Sequence, residues 1–132
     1  MNRDKIQRLL LCAGMAGWGI SILGVLLPWS AMDAILRNMG AAHPIDDPQL
    51  RYWFRMATAS WSIIGMFYAA ALFRPKKYRN LLPLLALGTL FEGVVLLIHG
   101  WSLNLPPLPF YGDVLFGLGL GVGLLLTLRR RS

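Results

Sequence analysis

Residues 81–100 read LLPLLALGTLFEGVVLLIHG, a stretch that contains Glu92 and no other Asp, Glu, Lys or Arg. A helix of about 20 apolar residues is long enough to cross the hydrocarbon core of a bilayer, which is about 30 Å thick. Lipid offers no hydrogen-bonding partner to the backbone, so a segment that crosses it must pair its own N–H and C=O groups, as an α-helix does. This stretch therefore predicts a transmembrane helix.

Three further apolar stretches of similar length lie at residues 9–27, 52–73 and 110–128. From the four stretches we predict an all-α fold, a membrane bundle of four transmembrane helices that forms one domain over residues 1–132. The first stretch exceeds the apolar region of a secretory signal peptide and no small-residue cleavage site follows it, so we expect it to be retained. The single cysteine, Cys12, excludes a disulfide within the chain.

The basic residues fall on alternate sides of the apolar stretches. The chain has 13 Lys and Arg against 6 Asp and Glu, a net charge of +7. Most of the basic residues form three clusters: Arg3, Lys5 and Arg8; Arg74, Lys76, Lys77 and Arg79; and Arg129, Arg130 and Arg131. A four-span topology brings all three clusters to one side, which the positive-inside rule makes cytoplasmic. We therefore expect a multi-pass protein of the bacterial inner membrane with both termini in the cytoplasm.

The same charge pattern bears on the partners of the chain. Short basic clusters that flank membrane segments, with no stacking surface between them, argue against nucleic-acid binding. The partner they predict is the lipid bilayer, whose anionic headgroups attract basic residues next to a span.

The connection between the first two stretches predicts a short amphipathic helix in the first outer loop. Its apolar face consists of Met32, Ile35, Leu36 and Met39, spaced i, i+3, i+4 and i+7. Ser30 and Asp33 resemble a capping box, and Gly40 provides a stop. We expect this helix to lie on the outer membrane surface, either closing a loop or covering a cavity between the spans. Asp47 and Pro48 then predict the start of the second long helix.

Glycines predict how the helices pack, because small residues let helix backbones approach closely in a membrane. They are Gly14, Gly17 and Gly24 in the first stretch and Gly117, Gly119, Gly121 and Gly123 in the fourth. The last four give two overlapping G-x-x-x-G spacings on opposite faces of one helix. We expect packing within the bundle, while Gly117 and Gly121 leave open a homo-oligomer or a membrane protein partner.

Ionisable side chains near the outer ends of the spans are the candidates for chemistry. Glu92 is a carboxylate inside an apolar helix, where a charge costs about 2.5–3.5 kcal/mol and usually faces a partner or a cavity. His99 follows two turns later on nearly the same face. We expect both to converge with Arg51, Arg55 and Asp113. In a structural interpretation Arg55 neutralises Glu92 or Asp113.

The functional interpretation is a polar pocket at the outer mouth of the bundle that holds a lipophilic molecule by its polar head. Its aromatic lining would consist of Trp53, Trp61, Phe91 and Trp101. In a catalytic version of this pocket, Glu92 is the acid and base, His99 is a relay and Arg55 orients the substrate. Removing Glu92 would test that version.

Several short motifs resemble a group of small bacterial four-span membrane proteins of unknown function. The motifs are Leu26-Leu27-Pro28 after the first span, an arginine opening the second (Arg51 or Arg55), Arg74-Pro75 at its end, and glycine-rich later helices. This resemblance implies an inner-membrane four-helix bundle and carries no activity. The chain is also similar, more weakly, to the small four-span scaffold of sterol-synthesis enzymes, which has an Arg early in its second span and a Glu in its third. The spacing from Arg55 to Trp61-Ser62 departs from that scaffold's pattern, so no function is carried over.

Three classes of function remain. The first is an accessory or scaffold subunit, and the second is a binder of a small lipophilic ligand such as an isoprenoid, a quinone or a sterol-like lipid. The third is a small membrane enzyme with isomerase-like acid/base chemistry on Glu92 and His99. The short extramembrane segments leave no room for a soluble catalytic domain and favour the first two. We predict no cofactor and no metal, because His43, Asp46 and Asp47 are too few and too scattered for a metal site.

Overall fold

The computed structural model describes residues 2–105 and 107–128, and within them it contains five helices and no strand. Their bounds are α1, Arg3–Leu26, with a 3-10 turn at Ile20–Ile22; α2, Trp29–Asn38; α3, Pro48–Phe73; α4, Leu82–Ser102, preceded by a 3-10 turn at Arg79–Leu81; and α5, Pro107–Leu128. The predicted basic cluster Arg129, Arg130 and Arg131 lies outside the described residues, as does Pro106.

Four of these helices, α1, α3, α4 and α5, are long and apolar enough to cross a membrane. The predicted fold class is confirmed to this extent: the described chain is all-α, and its long helices fit a multi-pass membrane protein. The helices extend beyond the apolar stretches because polar residues at the flanks continue the same helical turns. α1, for example, begins at Arg3 rather than at residue 9.

α3 starts where Asp47 and Pro48 predict, and a proline limits its other end. The carboxylate of Asp47 accepts a hydrogen bond from the backbone N–H of Gln49 at 2.7 Å, and Pro48 occupies the first helical position. The helix ends at Phe73, before Pro75, because a residue that precedes proline is disfavoured in the helical conformation.

α2 occupies the connection where a short helix was predicted, but its predicted capping box is wrong. The helix begins at Trp29, with Pro28 before it, so Ser30 already lies inside the first turn. Asp33 instead forms an ion pair with Arg37 at 2.8 Å, one turn further along the helix.

The end of α4 also differs from the prediction. Asn104 adopts a left-handed backbone with φ 51°, and the N–H of Leu105 reaches back to the carbonyl of Gly100 at 3.1 Å. This arrangement is the Schellman motif, which closes the last turn of a helix. The uncharged, proline-containing segment from Trp101 to Tyr111 predicts a stiff loop at the membrane interface. That prediction is wrong, because α4 continues to Ser102 and Pro107 already begins α5, where proline is tolerated in the first turn.

The long helices form two antiparallel pairs, α1 with α3 and α4 with α5. α1 also contacts α5, which joins the pairs, whereas α3 and α4 touch only lightly. The most deeply buried large side chains are Tyr68, Leu11 and Leu124, where the pairs meet. The weak contact leaves a groove between α3 and α4.

α4 and α5 approach each other closely at Gly93 of α4 and Gly117 of α5. A Cβ atom built on Gly117 would lie 2.7 Å from the Cα of Gly93, and one built on Gly121 would lie 2.8 Å from the Cα of Leu90. The Gly117 and Gly121 face of α5 therefore packs against α4 of the same chain. A Cβ on Gly119, by contrast, would meet no atom within 4 Å.

The other glycines named from the sequence pack against side chains rather than backbone. The pairs are Gly14 with Tyr68, Gly24 with Thr58, Gly17 with Phe116 and Gly123 with Leu10. The first two pairs join α1 to α3, and the last two join α1 to α5. The glycines of α1 thus serve two neighbouring helices.

Candidate functional site

Arg55 closes the C-terminal end of α1. Its guanidinium donates hydrogen bonds to the carbonyl oxygens of Gly24, Val25 and Leu27, the last at 2.7 Å. The last carbonyls of a helix have no partner within it, so this side chain satisfies groups that would otherwise be unpaired. Over residues 2–105 and 107–128 no ion pair joins Arg55 to Glu92 or to Asp113.

Arg51 holds the chain that leads into α3. Its Nε donates to the carbonyl of Ile45 at 2.7 Å, and its guanidinium pairs with Asp46 at 3.2 Å. The guanidinium carbons of Arg51 and Arg55 lie 5.0 and 5.7 Å from the ring centroid of Trp29, within the range of a cation–π contact. Through these contacts the two arginines of α3 bind the end of α1 and Trp29 of α2.

The structure distributes the other predicted pocket residues among different surroundings. Phe91 and Trp101 are 69% and 75% exposed on the outside of α4, and His99 and Asp113 are exposed as well. Trp53 is exposed on α3, while Trp61 packs partly buried against the core. Trp101 lines a small cavity of about 230 Å³ beside Tyr111, where α4 ends and α5 begins.

Glu92 lines the groove between α3 and α4, which encloses about 290 Å³. We call this cavity the α3–α4 groove. Its main lining residues are Trp18 of α1, Ile64 and Phe67 of α3, and Leu84, Gly88 and Glu92 of α4. Trp18 is 8% exposed, whereas Phe67 and Leu84 are 48% and 67% exposed, so the groove is closed towards α1 and open towards the outside of the bundle.

Glu92 is partly buried as a residue, and none of the described residues forms a hydrogen bond or ion pair with its carboxyl group. A charged side chain inside the membrane usually faces a partner or a cavity, because its desolvation is expensive. Here the group borders an apolar cavity, where it can accept a hydrogen bond from a molecule bound beside it.

Two other residues that line the groove, Trp18 and Thr89, carry polar groups. The indole Nε1 of Trp18 is buried and has no hydrogen-bond partner among the described residues. The hydroxyl of Thr89, which also lines the groove, is 2.6 Å from the hydroxyl of the fully buried Tyr68. Buried polar groups are nearly always paired. Tyr68 and Thr89 satisfy each other, and Trp18 presents its ring to the groove, so Glu92 is the polar side chain that is available to a molecule in the groove.

Sequence reasoning did not single out Trp18, Gly88 or Thr89. Thr89 and Glu92 are three residues apart, which places them on one helical face, and that spacing could have indicated a polar face on α4. A tryptophan in the interior of a span, away from the membrane interface, was the available indication for Trp18. No local pattern shows that Trp18 of α1 faces the gap between α3 and α4.

Comparison of the chain with protein-family models, with curated proteins and with solved structures finds no match. In the part of the chain that the structure describes, no group of three or more His, Cys, Asp or Glu residues is placed to hold a metal ion. Function is therefore argued from the site itself.

Proposed function

We propose that this chain is an integral protein of the bacterial inner membrane that binds a small lipophilic ligand in the α3–α4 groove. The observation that carries this proposal is the partly buried Glu92, which lines an apolar cavity and has no hydrogen-bond or ion-pair partner among the described residues. The ligand donates a hydrogen bond from a hydroxyl or amine to Glu92. Its apolar body packs against Trp18 and Phe67.

The size and shape of the groove restrict the ligand further. A volume of about 290 Å³ is just below the range of about 300–1,000 Å³ that is typical of ligand sites. A short isoprenoid-like alcohol or amine fits within it. A quinone or a sterol-like lipid would place only part of its body inside and extend past Phe67 and Leu84 into the bilayer.

The proposed site shares Glu92 with the pocket that the sequence predicts. Its other lining residues differ from the predicted ones and lie closer to the core of the bundle. Arg51 and Arg55 are engaged with the carbonyls of Ile45 and of the end of α1, so they support the scaffold. The aromatic partner of the ligand becomes Trp18 in place of the exposed Trp101.

We expect Gly88→Leu to reduce ligand binding at least about tenfold without loss of fold. A Cβ on Gly88 would meet no atom within 4 Å, so a leucine there fills the groove without displacing a helix. The measurement is covalent labelling of the purified protein in bilayers by a diazirine-bearing long-chain alcohol, with the labelled peptides identified by mass spectrometry. Native mass spectrometry of lipids retained from the protein's own membrane gives the same comparison.

Gly119→Leu is the matched control for this experiment. Gly119 is equally open, but it lies on α5 and does not line the groove, so labelling should stay within about twofold of the parent chain. Glu92→Gln keeps the side-chain shape and should weaken labelling by the alcohol. Undiminished labelling in Gly88→Leu would contradict the groove as the site.

The same purified material separates the alternatives. A stoichiometric partner chain that copurifies without a retained lipid would favour an accessory or scaffold subunit. Turnover of a lipophilic substrate that Glu92→Gln abolishes would favour the small acid/base enzyme, in which His99 serves as the relay.

The proposal includes an orientation in which both termini lie in the cytoplasm. The basic residues in the first turns of α1 and in the connection after α3 support it through the positive-inside rule. In a bacterial inner membrane, we expect alkaline phosphatase fused after His43 or Asn104 to be active, and phosphatase fused after Lys77 or at the C-terminus to be inactive. Active enzyme at Lys77 would reverse the orientation.

A further inference from the structure

A second cleft lies at the end of the bundle where the first turns of α1 meet the connection from α3 to α4. It encloses about 640 Å³, more than twice the volume of the α3–α4 groove. Arg8 of α1 and Lys76 and Arg79 of the connection line it, together with Asp4. We call it the basic cleft. Its charged lining, three cations and one acid, carries a net positive charge.

The inner wall of the basic cleft is apolar. Leu11, Leu72 and Leu82 line it and are 2%, 8% and 5% exposed, so they belong to the packed core. A free phosphate ion would be bound by the cationic side chains alone and would not use the apolar wall. A membrane lipid presents a phosphate joined to apolar chains, and the basic cleft offers a charged rim next to an apolar wall for both parts.

The position of the cleft also favours a membrane lipid. It lies at the ends of helices that are long and apolar enough to cross a membrane, which is the level of the headgroups in a bilayer. Anionic lipids attract basic residues at this level, and basic pockets between helices bind their headgroups.

We propose that the basic cleft binds the phosphate headgroup of an anionic membrane lipid. Arg8, Lys76 and Arg79 contact the phosphate oxygens, and the arginines can do so with two parallel hydrogen bonds. The first methylenes of the chains lie over Leu11 and Leu72. This site is independent of the α3–α4 groove, and its ligand is a resident lipid of the bilayer.

The neighbouring basic residues provide a matched control. Arg74 and Lys77 belong to the same connection but do not line the cleft, and the Lys77 ammonium lies 5.4 Å from the ring centroid of Tyr78. The double variants Lys76→Gln/Arg79→Gln and Arg74→Gln/Lys77→Gln remove the same charge from the same segment. All four side chains are exposed, so neither variant disturbs the core.

The experiment titrates the full, delipidated chain with dioleoyl phosphatidylglycerol and counts bound lipids by native mass spectrometry. We expect Lys76→Gln/Arg79→Gln to weaken binding about tenfold or more, and Arg74→Gln/Lys77→Gln to change it less than about twofold. Arg8→Gln, on a different element, should weaken binding as well. Dioleoyl phosphatidylcholine should bind all variants alike.

Three results would overturn the proposal. An equal loss of lipid binding in the two double variants would mean that the lipid is attracted by the general positive charge of this surface and not by the cleft. Unchanged binding in Lys76→Gln/Arg79→Gln would remove the cleft as a site. Displacement of the lipid by millimolar inorganic phosphate, with phosphate binding that depends on Lys76 and Arg79, would make it a site for a soluble anion. Each result leaves the groove proposal intact, because Gly88→Leu tests that site separately.

Discussion

Gly117→Leu is expected to lower the free energy of unfolding by about 3 kcal/mol or more and to separate α4 from α5. The hydrogen at this position already faces the backbone of Gly93, where even a Cβ would lie 2.7 Å from the Cα. Backbone cannot rotate away as a side chain can, so the helices must move apart and lose packing along their length. The measurement is unfolding by sodium dodecyl sulfate in mixed micelles, followed by circular dichroism.

The control is Gly119→Leu, the same substitution two residues along the same helix. No atom lies within 4 Å of a Cβ there, so we expect a change within about 0.5 kcal/mol, as for an exposed site. Equal destabilisation by the two variants would contradict the α4–α5 contact. An oligomer that forms in the parent chain and in Gly119→Leu but not in Gly117→Leu would show that the Gly117 face contacts a second copy of the chain.

Arg55→Ala is expected to lower the free energy of unfolding by about 2–3 kcal/mol. The substitution leaves the carbonyls of Gly24, Val25 and Leu27 without their charged donor, and hydrogen bonds to charged groups contribute about 1.5–3 kcal/mol. The same mixed-micelle unfolding measures it. Arg55→Lys should recover part of the loss, because an ammonium can reach some of these carbonyls but cannot span them as a planar guanidinium does.

Arg37→Ala is the matched control for a lost surface arginine. Arg37 pairs with Asp33 one turn away on an exposed helix, and such pairs contribute at most about 1 kcal/mol. If Arg55→Ala unfolded like the parent chain but lost the bound ligand, Arg55 would belong to a binding pocket, and its assignment to the end of α1 would be wrong.

Sequence patterns predict most of this fold because membrane helices are encoded locally. A long apolar stretch is enough to place each of the four long helices, and Asp47, Pro48 and Pro75 set the ends of α3. The sequence-based predictions fail where tertiary contacts or the local backbone conformation determine the end of a helix. Asn104 ends α4 in a left-handed conformation that no apolar pattern reports.

The candidate site was less predictable, because it depends on which helices are neighbours. Glu92 can be singled out from composition alone, since it is the one acidic residue in its apolar stretch. Its surroundings follow from the light contact between α3 and α4, which opens the groove to Trp18. Arg55 likewise lies where the sequence placed it along α3, but the close contact of Gly24 with Thr58 brings the end of α1 within its reach.

The sideways opening of the α3–α4 groove, marked by the exposed rings and chains of Phe67 and Leu84, affects how a ligand is supplied. The ligand that we propose would reach it by two-dimensional diffusion in the leaflet, so the occupancy of the groove would follow the mole fraction of that ligand among the lipids. Partitioning concentrates a lipophilic compound in the leaflet far above its level in water. A modest intrinsic affinity would therefore be enough for the proposed ligand to fill the groove, and competing compounds would be ranked by how well they dissolve in the bilayer as much as by how well they fit.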